Sequence, residues 1–163
     1  MKKITIIMSI LIAFITASTL YADESASWSA PIKAVGQNLG GMNEYEVIIG
    51  VGANQITEPA PPSPPIYSVK MELMVNESLI LKDIQKDGLN QYVWQIAIDP
   101  HGNVGSPEAR TATLSWDPAQ LGAGSVELIN EDGQLIADMK TVNSAKISGM
   151  SDVQYLSVVY TPE

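Results

Sequence analysis

Thr57-Glu58-Pro59-Ala60-Pro61-Pro62-Ser63-Pro64-Pro65 decides how this chain is organised. Half of the ten prolines fall within these nine residues. Proline fixes φ and removes a backbone donor, so the stretch is excluded from helix interiors and from central strands. Its composition predicts extended polyproline II. Strand-like sequence flanks it on both sides. Before it, residues 23–56 supply about 34 residues, and below ~40 residues a chain without disulfides or metal rarely folds alone. The stretch is therefore expected to be a crossover between two sheets of one domain, residues 23–163, rather than a linker between two domains.

Period-two alternation dominates on either side. Tyr45, Val47 and Ile49 alternate with Glu44, Glu46 and Ile48. Tyr67, Val69, Met71, Leu73 and Val75 form a second run, and Tyr92, Trp94, Ile96 and Ile98 a third. Ala112, Leu114 and Trp116 share a fourth; shorter runs lie at Val126 and Leu128 and at Leu135, Ala137 and Met139. Tyr155, Ser157 and Val159 alternate with Leu156, Val158 and Tyr160. Trp28 to Val35 is a first strand broken by Pro31, which suits a sheet edge. Turn chemistry separates the runs: Asp87-Gly88, Asp99-Pro100-His101-Gly102-Asn103, Gly122-Ala123-Gly124 and Asn130-Glu131-Asp132-Gly133, the last read as a hairpin. A single helical turn is expected after Pro118. The fold class is all-β, a single antiparallel β-sandwich of about 7–9 strands, with a closed barrel as the alternative.

Residues 1–22 read as an export signal. Lys2 and Lys3 precede an apolar run ending in Ser18-Thr19-Leu20-Tyr21-Ala22, with cleavage expected after Ala22. The alternative is a retained anchor, for which about 17 apolar residues are marginal. Cleavage leaves 141 residues and seven basic against 18 acidic side chains, a formal charge of −11. The destination is secreted, periplasmic or cell surface, with no membrane span left. Without cysteine the domain is held by burial, ordered loops or ions rather than by disulfides. An acidic surface repels nucleic acid and anionic headgroups.

The order of motifs resembles a known group. Ile48-Ile49-Gly50-Val51-Gly52 leads into the proline stretch, then come Tyr67-Ser68-Val69, Val93-Trp94-Gln95-Ile96, Thr113-Leu114-Ser115-Trp116-Asp117-Pro118 and Asp132-Gly133-Gln134-Leu135-Ile136-Ala137-Asp138-Met139. Over most of the chain, from about Pro31 to Pro162, this resembles the immunoglobulin-like or fibronectin-III-like β-sandwich modules of bacterial secreted and cell-surface proteins. The resemblance implies an architectural or interaction module and brings no catalytic residues. Where such modules often carry aspartates before the proline stretch, this chain has Ala53-Asn54-Gln55, so no cation site is implied there.

Enzymatic chemistry finds little footing. His101 is the only histidine and sits in a turn, so a serine triad has one possible base. Ser115 lies in a strand pattern, not a nucleophile elbow. Zinc and copper sites need more nitrogen and sulfur ligands than the chain has. Gly50-Val51-Gly52 lacks the third glycine and helix of a dinucleotide fingerprint. No catalytic residue, cofactor or metal is assigned. Calcium is the one plausible ion, with Asp99, Asn103, Asn130 and Asp132 as candidate oxygens, against the plainer reading of turn-forming Asx side chains. Trp94 and Trp116 fall on apolar faces and read as core; Trp28 is the candidate exposed aromatic for ligand stacking. The expectation is a non-catalytic, exported interaction or structural module with protein partners, a filament subunit being one form of it. A carbohydrate-binding module is the alternative, and a carboxylate-based hydrolase a third class.

Overall fold

The computed structural model describes residues 26–36, 43–62, 69–99, 110–150 and 152–163. The export signal, His101, Asn103, Tyr67 and the last three residues of the proline stretch lie outside that set. Eleven strands run in the order β1 Ala26–Val35, β2 Glu44–Gly52, β3 Ile56–Pro59, β4 Lys70–Val75, β5 Ser78–Lys86 and β6 Tyr92–Asp99, followed by β7 Arg110–Ser115, β8 Ser125–Asn130, β9 Leu135–Asp138, β10 Ser144–Met150 and β11 Gln154–Thr161. They form one ladder, β10-β7-β1-β2-β5-β4-β6-β11-β8-β9, with β3 attached to β5. The pairs are antiparallel except β2 with β5, which is parallel. The fold is therefore all-β and mixed. The expected 7–9 strands and purely antiparallel pairing are corrected to eleven strands and one parallel contact among the described residues.

The three strands absent from the sequence reading lack a clean apolar alternation, each for its own reason. β3 is exposed along its length, so it has no buried face to pattern. β10 ends the ladder and carries Ser144, Lys146 and Ser148 among its few apolar residues. β5 changes partners midway. Ser78 to Ile80 pair with β4, while Lys82 to Lys86 pair with β2. At that change Pro59 and Glu58 of β3 face Ile80 and Lys82, leaving Leu81 as an extra residue in β5. A bulge of this kind shifts the side-chain parity of a strand. Ile80 belongs to the core, and beyond the bulge Asp83 and Gln85 pair with the core residues Ile49 and Val51. Paired residues share a face, so Asp83 and Gln85 project inward.

The start of the proline stretch is a strand rather than free polyproline II: Thr57, Glu58 and Pro59 belong to β3 and pair with β5. Proline is tolerated there because β3 is attached to β5 alone, as an edge strand. Strands from both sides of the stretch share the ladder, since β1 pairs with β7 and β2 with β5. Pro31 lies in the part of β1 that β7 does not reach, β7 pairing only with Lys33 to Val35.

The ladder nearly closes on itself. β9 and β10 at its two ends approach each other. Trp116, just after β7, joins them: its Nε1 donates to the carbonyls of Met139 at 2.9 Å and Val142 at 2.8 Å. Trp116→Phe is expected to cost about 1–3 kcal/mol, because two carbonyls lose their donor in a largely buried seam. Urea midpoints of the two proteins would measure this; a difference within the error of the fits would show that the seam carries no stability.

Local chemistry fits the turns. Asp117 Oδ1 accepts from Ala119 N at 2.9 Å and caps the expected turn, a 3-10 segment over Pro118–Gln120. Asn130 Oδ1 accepts from Gln134 N at 2.7 Å, and Gly133 takes φ +76° to close the β8–β9 hairpin. Asn76 and Glu77, both at positive φ, form the two-residue turn between β4 and β5.

Candidate functional site

Inside the ladder, four aromatic rings form one cluster. Trp28 meets Trp94 edge-on with centroids 5.7 Å apart, and Tyr160 edge-on at 5.0 Å. Tyr92 stacks on Trp94 at 6.2 Å and on Tyr160 at 5.6 Å. Trp28 is half-buried and packs on the core, with Gly122 directly against its indole nitrogen. A side chain held this way is a core wedge rather than a free-standing stacking platform.

Beyond this cluster, at the end of the ladder where β2 and β4 finish and β6 begins, a cavity of about 520 Å³ opens. Asp83 and Gln85 of β5 are among the residues that line it. Met74, Val75 and Val93 wall it, and Gln55, Asn76, Lys86, Asp87 and Leu89 stand around it. The volume falls within the range of ligand pockets, about 300–1,000 Å³, and the mouth of a barrel is a usual place for one.

Asp83 is the unusual group in this cavity. Its residue is only 2% exposed. Gln85 Nε2 donates to Asp83 Oδ2 at 3.1 Å and to the Val93 carbonyl at 2.9 Å, bridging β5 to β6. Trp94 Nε1 donates to the Asp83 carbonyl at 3.0 Å, a second tie between the same strands. Asp83 Oδ1 is buried and has no hydrogen-bond partner. Among the described residues no cation is seen to pair with it; ion pairs join Lys33 with Glu44, Lys33 with Glu46 and Lys70 with Glu72. Burial pushes the Asp83 carboxyl above its ordinary value, and the Gln85 hydrogen bond pulls it partly back.

The sign of the stability effect follows. A raised carboxyl binds its proton more tightly in the folded chain than in the unfolded one. That contribution is complete below the unfolded value, about 4, and is lost as pH rises through the folded value. Asp83→Asn removes the buried charge. It is expected to raise the melting temperature near pH ~7, with the gap to the parent closing as the pH falls toward ~4. Thermal melts at both values test it; a gap that does not change with pH would show that Asp83 titrates alike in the folded and unfolded chains.

The oxygens weighed for calcium do not gather here. Asn130 is committed to the β8–β9 hairpin through Gln134, and Asp132 is exposed at its tip. Asp99, at the end of β6, lines a smaller groove of about 220 Å³ on the outer face, with Lys70, Glu72 and Tyr155. Asn103 is outside the described residues. No group of three histidine, cysteine, aspartate or glutamate side chains suited to a metal occurs among the described residues. Ser115 sits in β7 opposite Lys33 and Ser144, as the strand pattern implied. No family model, no curated protein and no solved structure matches this chain.

Asp83 and Gln85 were not singled out by the sequence. A signal was there: Val75-Asn76-Glu77-Ser78 is a two-residue turn between apolar runs, and an inward strand must follow it. The polar alternation after Leu81 hid that strand.

Proposed function

We propose that the chain is an exported, non-catalytic β-sandwich module of the immunoglobulin-like or fibronectin-III-like kind, which binds a protein partner outside the cell or at its surface through the open mouth of the ladder. The observation that carries this reading is the apolar rim. Leu89 is 55% exposed and Val93 47%, both lining the cavity, and Ile56, beside Gln55, is 38% exposed. Large apolar side chains gathered in solvent around a partly polar cavity mark a contact surface. The ladder ends speak for the mouth over strand addition. β10 carries Lys146 and a break in register before Met150, and β9 has only four residues, features that discourage a neighbouring strand.

Catalysis by paired carboxylates gains no support from the cavity: Asp83 and Asp87 are the only acidic residues lining it, and the Asp83 carboxyl is buried and engaged by Gln85.

A photocrosslinker placed at Leu89 in the native envelope or medium tests the reading. Covalent adducts to a protein partner are expected, and they should diminish with Val93→Glu. Recovery of free monomer alone would reject it. Retention on insoluble glycans, lost in Trp28→Ala, would move the assignment to a carbohydrate-binding module.

A further inference from the structure

We propose that the outer face of the ladder from β5 to β9, across β4, β6, β11 and β8, is a second docking surface that takes a basic amphipathic helix of a partner protein. This surface is distinct from the mouth, and the inference stands without it. The ladder itself supplies the contrast. Along β1, β2 and β7 the outward side chains include Ser29, Lys33, Glu44, Glu46, Thr113 and Ser115, as a solvated sheet face requires. Across the other half, the residues between the core positions are mostly apolar. One row crosses six strands: Leu79 pairs with Met74, Met74 with Gln95, Gln95 with Ser157, Ser157 with Ile129 and Ile129 with Leu135. Flanking rows pair Val93 with Val159 and Ala97 with Tyr155. Leu135 is 59% exposed and Leu79 44%. Paired and diagonal neighbours on one face lie within side-chain reach, so these residues form a band rather than scattered single positions. Beside Tyr155 the band deepens into the groove of about 220 Å³ that Leu79, Met74 and Val153 also line.

Backbone and charge choose the occupant. β4, β6, β11 and β8 each have a neighbouring strand on both sides, so their ladders are filled. A partner strand laid over this face would leave its own N–H and C=O groups without partners. A helix satisfies its backbone internally and offers side chains alone, the ordinary second layer over a sheet. Five steps between neighbouring strands make a row of roughly 24 Å, the length of a helix of about 16 residues. The sign of its charge follows from the face. β6, β8, β9 and β11 contain no lysine or arginine, and their charged residues are Asp99, Glu127 and Asp138. Glu127 and Asp138 are exposed and stand directly opposite each other across β8 and β9. Like charges so placed repel, and a cation over them relieves the repulsion. Lys140 does not supply it, because its ammonium donates to the Leu121 and Gly122 carbonyls. At the other side of the band Lys70 and Glu72 close on each other at 2.6 Å, with side chains only 13% and 8% exposed. Lysines or arginines beside the apolar stripe of a helix complement this face. A second copy of the chain, at a formal −9 over the full sequence, would add to the repulsion.

The test uses the exported chain and three blocked helical peptides of about 16 residues. All share one leucine and alanine stripe; the opposite face is lysine in the first, glutamine in the second and glutamate in the third. Backbone amides are followed by NMR. The lysine peptide is expected to saturate and to shift Gln95, Ser157 and Ile129, leaving Asn76 and Leu89 at the mouth in place. The glutamine peptide should bind about tenfold more weakly, and the glutamate peptide should give no shift. Glu127→Lys should weaken the lysine peptide about tenfold at ~0.05 M salt, and the loss should shrink at ~0.5 M, where exposed charges are screened. Leu135→Ser, also at an exposed position, should weaken it severalfold at both salt concentrations. Absence of saturation by the lysine peptide, equal binding of the glutamine peptide, shifts confined to the mouth, or undiminished binding by both variants would each overturn the proposal. So would a dimer in sedimentation that Leu135→Ser dissolves, which gives the band to a second copy. Binding to phosphatidylcholine vesicles that the same change abolishes would give it to a membrane and overturn the proposal too. The Leu89 crosslinks report on the mouth separately, so either reading can fail with the other intact.

Discussion

Trp94→Ala is expected to destabilise the fold by about 3–5 kcal/mol, the range for deleting a large buried aromatic. Trp94 is 2% exposed and belongs to the aromatic cluster, touching both Trp28 of β1 and Tyr92 of its own strand. Its loss therefore does more than open a cavity. Trp28 loses its edge contact across the interior, and the Asp83 carbonyl loses the donor that ties β5 to β6. Small domains are stable by only about 5–15 kcal/mol, so a large part of the total is at stake. Trp94→Phe separates the two components: it keeps much of the volume and removes only the indole donor, and is expected to cost about 1–3 kcal/mol. Urea unfolding followed by far-ultraviolet circular dichroism measures both. Equal losses for the two variants would mean that the hydrogen bond, not the packing, dominates. A loss below about 1 kcal/mol for Trp94→Ala would be out of scale with a filled core position.

Much of the fold was legible because most strands pack one face on the interior and leave the other in water. Tyr45, Val47 and Ile49 alternate in sequence and are buried in β2, and Tyr92, Trp94, Ile96 and Ile98 do the same in β6. The capped turn at Asp117 and the hairpin at Asn130 were legible for a different reason: their side chains hydrogen-bond the local backbone, so the signal is short-range. β5 was not legible. Its inward residues are Ile80, then Asp83 and Gln85 across a bulge, so neither constant parity nor apolar character marks it. The cavity was hidden with it, since Asp83 and Gln85, which line it, lie in the part of β5 that breaks the pattern. Trp28 shows the limit in the other direction. Near the expected mature N-terminus it reads as solvent-facing, yet it packs against Trp94 and Tyr160. Trp28 pairs with Val51 and shares the buried face of Ala30, Ile32 and Ala34. That alternation is present in the sequence, and parity along the strand outweighs nearness to the expected N-terminus.

Gly50→Ala is the second change expected to be severe. The sequence offered Gly50-Val51-Gly52 as a fragment of a dinucleotide fingerprint and excluded it; the structure gives Gly50 a packing role. It lies in β2 between Ser29 of β1 and Ile84 of β5. A Cβ there would collide with the Trp28 carbonyl oxygen and approach the Ser29 Cα to 2.9 Å and the Ile84 Cδ1 to 2.8 Å. Two of these three obstacles are backbone of β1, the strand that delivers Trp28 to the cluster. Relief requires β1 to move away from β2, which strains their ladder. Overpacking of this kind costs about 1–3 kcal/mol and occasionally more, and an immovable backbone places Gly50→Ala at or above the top of that range. Ile84→Val distinguishes the obstacles, because it deletes Cδ1 and by itself costs about 0.5–1.5 kcal/mol. If the backbone is what resists, the double variant should recover little, with a coupling energy below about 0.5 kcal/mol in a double-mutant cycle. Recovery of most of the lost stability would instead place the whole obstruction in the Ile84 side chain, and the close approach of β1 to β2 at Gly50 would then carry no special demand for glycine.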